Sequence, residues 1–267
     1  MHKLLTVKSG EYNLSGALHL PEFTREKVPL LIFIHGFVGS KVGEHRLFVK
    51  AARYFTKRGF AVFRFDFSGC GESEGDYGGV TLTNQLNEVQ DVIDYVSRIR
   101  GINAHRITLV GHSLGGAVAS LTAAADPRVK DLILWSPVGL PYEDITGILG
   151  RQAVNEISRN GSYDYQGFSI SRRFLKDLQK HRPFDTIGVY RGGAHIIHAE
   201  ADEQIPKAHA ASYRAVLNER INTEPVTERY IENADHTFSD CSLENELFDK
   251  SYEWLKRKHM EQAAVRL

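Results

Sequence analysis

The stretch Arg106–Ala125, RITLVGHSLGGAVASLTAAA, decides how the chain is read. Its opening, Ile107–Val110, is β-branched and apolar, as a buried strand is, and its close, from Gly115 to Ala125, is small and helix-favouring. Between them GHSLGG places Ser113 in the pattern G-x-S-x-G, with Gly111 and Gly115 as the glycines. A serine on a tight strand-to-helix turn is pushed out at the carboxyl end of a sheet, and side chains on the flanking positions would crowd that turn. The helix that follows points its unpaired N–H groups and the positive end of its dipole at the same spot. A phosphate-binding loop would need a G-K-[ST] ending or G-x-G-x-x-G spacing, and VGHSLGGAVAS has neither.

Outward from this turn, strands and helices alternate. KLLTVKS (3–9) and LSGALHLP (14–21) read as a strand hairpin at a sheet edge. PLLIFIHG (29–36) is a continuous apolar run, as expected of a strand covered on both faces, and HRLFVKAARYFTKRG (45–59) has apolar residues at helical spacing before Gly59. FAVFRFDFSG (60–69) and VKDLILWSP (129–137) read as strands, and LTNQLNEVQDVIDYVSRIRG (82–101) as an amphipathic helix. Later the strand AHIIHAEAD (194–202), the helix AHAASYRAVLNER (208–220), the strand VTERYIEN (226–233) and the closing helix ENELFDKSYEWLKRKHM (244–260) resume the rhythm. Such alternation implies an α/β protein with a mostly parallel central sheet and helices on both faces. Residues 137–190 break the rhythm with helical patches and no strand-like run, so they read as a cap inserted into a core formed by residues 1–136 and 191–267.

The 267 residues, 42% hydrophobic and 25% charged, suit a single domain with a sizeable core. Lys plus Arg and Asp plus Glu balance at 33 each, which gives no overall field to draw nucleic acid or an anionic membrane, so a small-molecule ligand is expected. No run approaches membrane-spanning length, and the N-terminal apolar patch is too short for a signal-peptide core. Cys70 and Cys241 lie far apart and suggest free thiols in a reducing cytoplasm. A monomer or a homodimer fits equally well.

A serine hydroxyl is a poor nucleophile at neutral pH and needs a base, which in turn needs an acid to orient it. His236 follows a predicted strand in a polar loop, YIENADHTFSD, and Asp202 follows another in HIIHAEADEQIP. Their order, Ser113, Asp202, His236, is that of α/β-hydrolases and not of the two major serine-protease folds. Asp235 and Asp240 are alternative acids near His236, but Asp235 is its sequence neighbour and poorly placed to face its ring. His112 and His35 are expected in packing or supporting roles. His195 and His198 fall on opposite faces of one strand, and with no H-E-x-x-H or paired-cysteine pattern no metal site is expected. Asp66 is expected to hydrogen-bond the amides of the glycine turn after it. The oxyanion formed on attack would be held by the N–H of Leu114 and by one from the His35-Gly36-Phe37 turn, that of Phe37.

IHGFVGSK (34–41), FRFDFSGCGESEG (63–75), VGHSLGG (110–116), AEADEQIP (199–206) and NADHTFS (233–239) together resemble the α/β-hydrolase superfamily, and within it the bacterial cinnamoyl and feruloyl esterases most. The resemblance covers nearly all of the chain outside the cap. It implies a Ser113–His236–Asp202 triad, an oxyanion hole at the Phe37 and Leu114 amides, and neither metal nor organic cofactor. The chain departs from the pattern in lacking a glycine at Glu200 or Ala201, and in Cys70 where histidine is common. By the same resemblance the cap covers an aromatic acyl group; Tyr142, Gln152, Tyr163, Tyr165 and Gln166 carry hydroxyl or amide groups suited to contact a phenolic ring, and a tyrosine-rich cap equally suits a small core of its own. A carboxylic ester hydrolase is thus expected; a thioesterase or peptidase would use the same residues, and a non-catalytic binding protein of this fold would lack one of them.

Overall fold

Alternate residues of the central strands face opposite ways, and both sets are apolar. Leu30, Ile32 and Ile34 join one buried cluster while Leu31 and Phe33 join another, as do Leu132 and Leu134 against Ile133 and Trp135. A strand so built is stable only when covered on both sides. The computed structural model describes residues 2–22, 26–221, 224 and 226–264. It shows β1 (His2–Ser9), β2 (Tyr12–His19), β3 (Val28–Ile34), α1 (Leu47–Thr56), β4 (Ala61–Phe65), α2 (Leu82–Val96), β5 (Ile102–His112), α3 (Leu114–Ala125) and β6 (Val129–Trp135) in order. Next come α4 (Pro141–Asn160), β7 (Ser162–Tyr165), β8 (Phe168–Ser171), α5 (Arg172–Leu178) and α6 (Pro183–Thr186). The chain closes with β9 (Gly193–Ala199), α7 (Ala208–Asn218), β10 (Val226–Ile231) and α8 (Cys241–Ala264).

The eight-stranded sheet runs β1-β2-β4-β3-β5-β6-β9-β10. β1 pairs antiparallel with β2 and β2 antiparallel with β4, and the other pairings of this sheet are parallel. Helices α2, α3 and α7 send Val92, Val118 and Tyr213 into the cluster on one face. On the other face α1 and α8 contribute Phe48, Phe55, Phe248 and Trp254.

Between β6 and β9 the chain leaves the sheet to form α4 to α6. Here the expectation of a strand-free insert is corrected, because β7 and β8 pair as an antiparallel hairpin, Tyr163 opposite Ile170 and Tyr165 opposite Phe168. The turn residues Gln166 and Gly167 both have positive φ, 55° and 87°, the geometry that matches the twist of a two-residue hairpin. Helix α4 is kinked at Gly150.

Asp144, in the first turn of α4, fastens this insert to the core. Its carboxylate accepts from the N–H groups of Gly139 and Leu140, at 3.3 and 3.1 Å, and lies 3.0 Å from Nε2 of His209 on α7. Both side chains are buried. Asp144→Ala is expected to cost about 2–4 kcal/mol, since it orphans buried donors at once; urea unfolding with a change under ~0.5 kcal/mol would contradict this.

Several histidines are buried in neutral form. Burial, reinforced by His236 nearby, lowers the pKa of His112 to about 4. Burial likewise brings His19, beside Arg64, and His195, facing Arg229, each down to about 3. The unfolded chain, with ordinary histidines near ~6.5, therefore takes up more protons as the pH falls, so stability drops from there towards the folded values. Asp131 acts the other way: burial raises its pKa to about 6, and its contribution fades as the pH rises through that value. Three groups against one predict a thermal midpoint that falls steadily from about pH 6.5 to 4; a flat midpoint in circular dichroism across this window would refute the prediction.

Candidate active site

β5 ends in a turn that the backbone itself makes tight. Ser113 sits at φ 57° and ψ −126°, a left-handed conformation rare for a residue with a side chain, just before the first residue of α3. The flanking glycines are required by contact: a Cβ at Gly111 would lie 2.3 Å from the Gly115 carbonyl oxygen, and one at Gly115 would lie 2.2 Å from that of Ile34. Helix α3 is thereby pressed against β3 and β5, and Ser113 is held at the carboxyl end of the sheet.

His236 and Asp202 come from the loops after β10 and β9. His236 Nε2 is 2.9 Å from Ser113 Oγ, and its Nδ1 is 2.7 Å from Asp202 Oδ2. All three side chains are largely withdrawn from solvent. Asp202 Oδ1 accepts from the N–H groups of Gln204 and Ile205, at 2.9 and 2.8 Å. Burial alone would raise the pKa of this carboxyl. Hydrogen bonds from His198 and His236, the charge of His236 and the Ile205 N–H outweigh it and hold the group well below the ordinary carboxylate range. A fixed anion is thus aimed at Nδ1 of His236, so Nδ1 carries the proton and Nε2 is free to accept one from Ser113.

The alternative acids are engaged elsewhere. Asp235 caps its own loop through the N–H groups of Thr237 and Ser239, and Asp240 accepts from Ser242 at the start of α8. Of the supporting histidines, His112 donates from Nε2 to the His236 carbonyl oxygen at 2.9 Å. His35 bridges the Gly36 carbonyl oxygen and the Phe67 N–H, at 3.0 and 3.1 Å. His198 has a role not read from sequence: its Nε2 lies 3.3 Å from Asp202 Oδ2 and 3.2 Å from the Ile205 carbonyl oxygen. The signal was the i,i+4 spacing back from Asp202 across the end of a strand. Asp66 does accept from the N–H of Glu72, at 2.9 Å, but it also binds the Lys41 ammonium, at 2.5 Å, in a buried ion pair. That pair braces the loop carrying Phe37.

Leu114 opens α3, so its N–H is among the donors a helix leaves unpaired. The Phe37 N–H makes no hydrogen bond among the described residues. A cleft of about 200 Å³ beside Ser113 and His236 is lined by Phe37, Phe48, Ile148, Tyr165, Gln166 and Gln204. The Phe37 ring is 5.5 Å from that of Tyr165 and stacks on Phe174 at 5.9 Å. Of the cap residues expected to contact substrate, Tyr165 and Gln166 reach the cleft, because the hairpin tip hangs over it. Tyr142, Gln152 and Tyr163 do not line it: Gln152 is on the exposed side of α4, while Tyr142 and Tyr163 pack half-buried against the core. Among the described residues no cluster of His, Cys, Asp or Glu is arranged to hold a metal ion, and no helix is long and apolar enough to cross a membrane.

The fold has known counterparts. The structure of Est1E from Butyrivibrio proteoclasticus with ferulic acid bound superposes with a TM-score of 0.80 at 26% identity, over 97% of this chain and 99% of that one. Mouse α/β-hydrolase domain-containing protein 10 shares the fold, with a TM-score of 0.76 at 23% identity over 96% of this chain and 99% of its own. A 31.7 kDa Escherichia coli protein from the traX–finO intergenic region is 38% identical over 107 residues, 40% of this chain. The chain spans only 36% of the length of that relative, and 36–40% of the next curated relatives. Residues 25–160, just over half of the chain and including the Ser113 turn, match the family model described as serine aminopeptidase, S33, and the chain belongs to that family of α/β-hydrolases.

Proposed function

We propose that the protein is a serine carboxylic ester hydrolase working through an acyl-enzyme on Ser113. The observation that carries this reading is the continuous hydrogen-bonded line from Asp202 through His236 to Ser113, at 2.7 and 2.9 Å. His236 Nε2 takes the Oγ proton as Oγ bonds to the ester carbonyl carbon. The carbonyl oxygen, now an anion, is held by the N–H groups of Phe37 and Leu114. Collapse breaks the bond to the alcohol, which leaves with the proton from His236. Water then gives a proton to His236 as it attacks the acyl carbon; collapse breaks the bond to Ser113 Oγ, which takes the proton back from His236, and the acid leaves. Asp202 stabilises the imidazolium throughout and stays ionised, as its depressed pKa requires.

For the acyl group we propose an aromatic acid of the hydroxycinnamic type. Support comes from the aromatic wall of Phe37, Phe48 and Tyr165 beside Ser113, with Gln166 as a polar contact from the cap, and from the likeness to Est1E, which is known with ferulic acid bound. Stacking on such a wall contributes about 1 kcal/mol beyond area burial, so methyl ferulate is expected to show a kcat/KM about tenfold above methyl butyrate. Equal or reversed values would remove the aromatic assignment and leave the esterase reading standing. Labelling of Ser113 by a fluorophosphonate, located by peptide mass spectrometry, tests the esterase reading itself; an unlabelled, folded protein would be a binding module.

A peptidase reading uses the same residues, and the family description favours keeping it in the test. The cleft offers one carboxylate at its wall, Glu44, able to receive a substrate ammonium. Turnover of aminoacyl p-nitroanilides faster than of the matching methyl esters would select it.

A further inference from the structure

A cavity of about 650 Å³ lies against α1 and the β1–β2 edge, and it shares no lining residue with the Ser113 cleft. Among the described residues its wall carries His2, His19, Arg53, Lys57 and Arg64, against a single acid, Glu22. Arg64 is the unusual member. It stands in β4, only 6% exposed. Its Nε donates to His19 Nε2 at 3.1 Å and its Nη1 to the Lys41 carbonyl oxygen at 3.0 Å, while Nη2 has no hydrogen-bonding partner among the described residues.

The nearby acid, Asp66, is occupied by the Lys41 ammonium at 2.5 Å. Among the described residues no carboxylate lies within ion-pair distance of Arg64, Arg53 or Lys57. A buried guanidinium without a counter-charge is costly, and such groups are normally paired. The negative end of the α1 dipole accounts for Arg53 in its last turn and for Lys57 at its cap, but not for Arg64 in mid-strand. His19 accepts from Arg64 at Nε2, so in its neutral form the proton sits on Nδ1 and His19 adds a donor to the wall. Val49 and Pro21 supply apolar surface beside these groups.

We propose that this cavity is a binding site for a small organic anion, a carboxylate or a phosphate ester. Arg64 donates to the anionic head from Nη2, Arg53 and Lys57 close on it from α1, and Val49 and Pro21 cover the apolar body. Nothing in this site takes part in the chemistry at Ser113, so the proposal stands or falls separately from the esterase reading.

The test is calorimetry on the full chain at constant ionic strength, titrating inorganic phosphate and, separately, hexanoate. The same titrations are run on the double variant Arg53→Ala, Lys57→Ala, whose side chains are exposed and outside the core. Saturable binding of either anion that weakens about tenfold or more in the double variant, with turnover at Ser113 unchanged, is the expected result. Which anion binds identifies the head group. No saturable heat with either anion, or equal affinity in the two proteins, overturns the proposal; hexanoate bound equally by both would mark the Ser113 cleft instead.

Discussion

Ser113→Ala is expected to lower ester turnover by about 10⁶-fold while moving the thermal midpoint by no more than a few degrees. The substitution removes one atom, Oγ, and with it a single hydrogen bond to His236. The turn is set by the glycines and by backbone bonds that do not involve that atom: Ser113 N–H to the Trp135 carbonyl oxygen at 3.0 Å, and Val138 N–H to the Ser113 carbonyl oxygen at 3.0 Å. Alanine at φ 57° carries the same backbone strain as serine, so the turn persists. Steady-state hydrolysis of p-nitrophenyl butyrate and a thermal scan of the same sample separate the two effects. Turnover above about a thousandth of the parent rate in a folded variant would remove Ser113 as the nucleophile.

Asp202→Asn should cost about 10⁴-fold in kcat, and the local geometry says why. The amide oxygen is drawn to the N–H groups of Gln204 and Ile205, which now hold Oδ1. The amide NH₂ must then face His236 Nδ1 and His198 Nε2, where the carboxylate had accepted. His236 answers by moving its proton to Nε2, and in that tautomer it cannot take a proton from Ser113. The expected signature is a collapse of kcat with KM little changed. A loss of less than about tenfold would mean that Asp202 only braces the loop.

The sheet was readable from sequence because strands covered on both faces are apolar at every position, and punctuation by Gly59, Gly69 and Gly101 separated them from amphipathic helices. The Ser113 turn was readable for another reason: glycines at a close approach leave no alternative residue. The β7–β8 hairpin escaped because its four-residue strands are half exposed and its turn uses Gln-Gly in place of a familiar Asn-Gly. Residue type singles out Tyr142, Gln152 and Tyr163, and type alone does not say which side of the cap faces the cleft. His198 shares a strand with His195, but its contact is made where the chain bends back after the strand. The Lys41–Asp66 pair joins loops 25 residues apart, a tertiary event that local pattern cannot reveal.

His112 gives a last consequence. His112, next to Ser113, grips the backbone of His236, Nε2 to the carbonyl oxygen, across 124 positions of chain. The two loops are therefore not independently adjustable parts, and the second can reach its place only after β9 and β10 have added to the growing edge of the sheet. During refolding, β3, β5 and β6 can assemble early around α3, yet reactivity at Ser113 appears only when the C-terminal strands dock. Recovery of fluorophosphonate labelling then serves as a clock for the last step of folding, lagging behind the return of helical ellipticity.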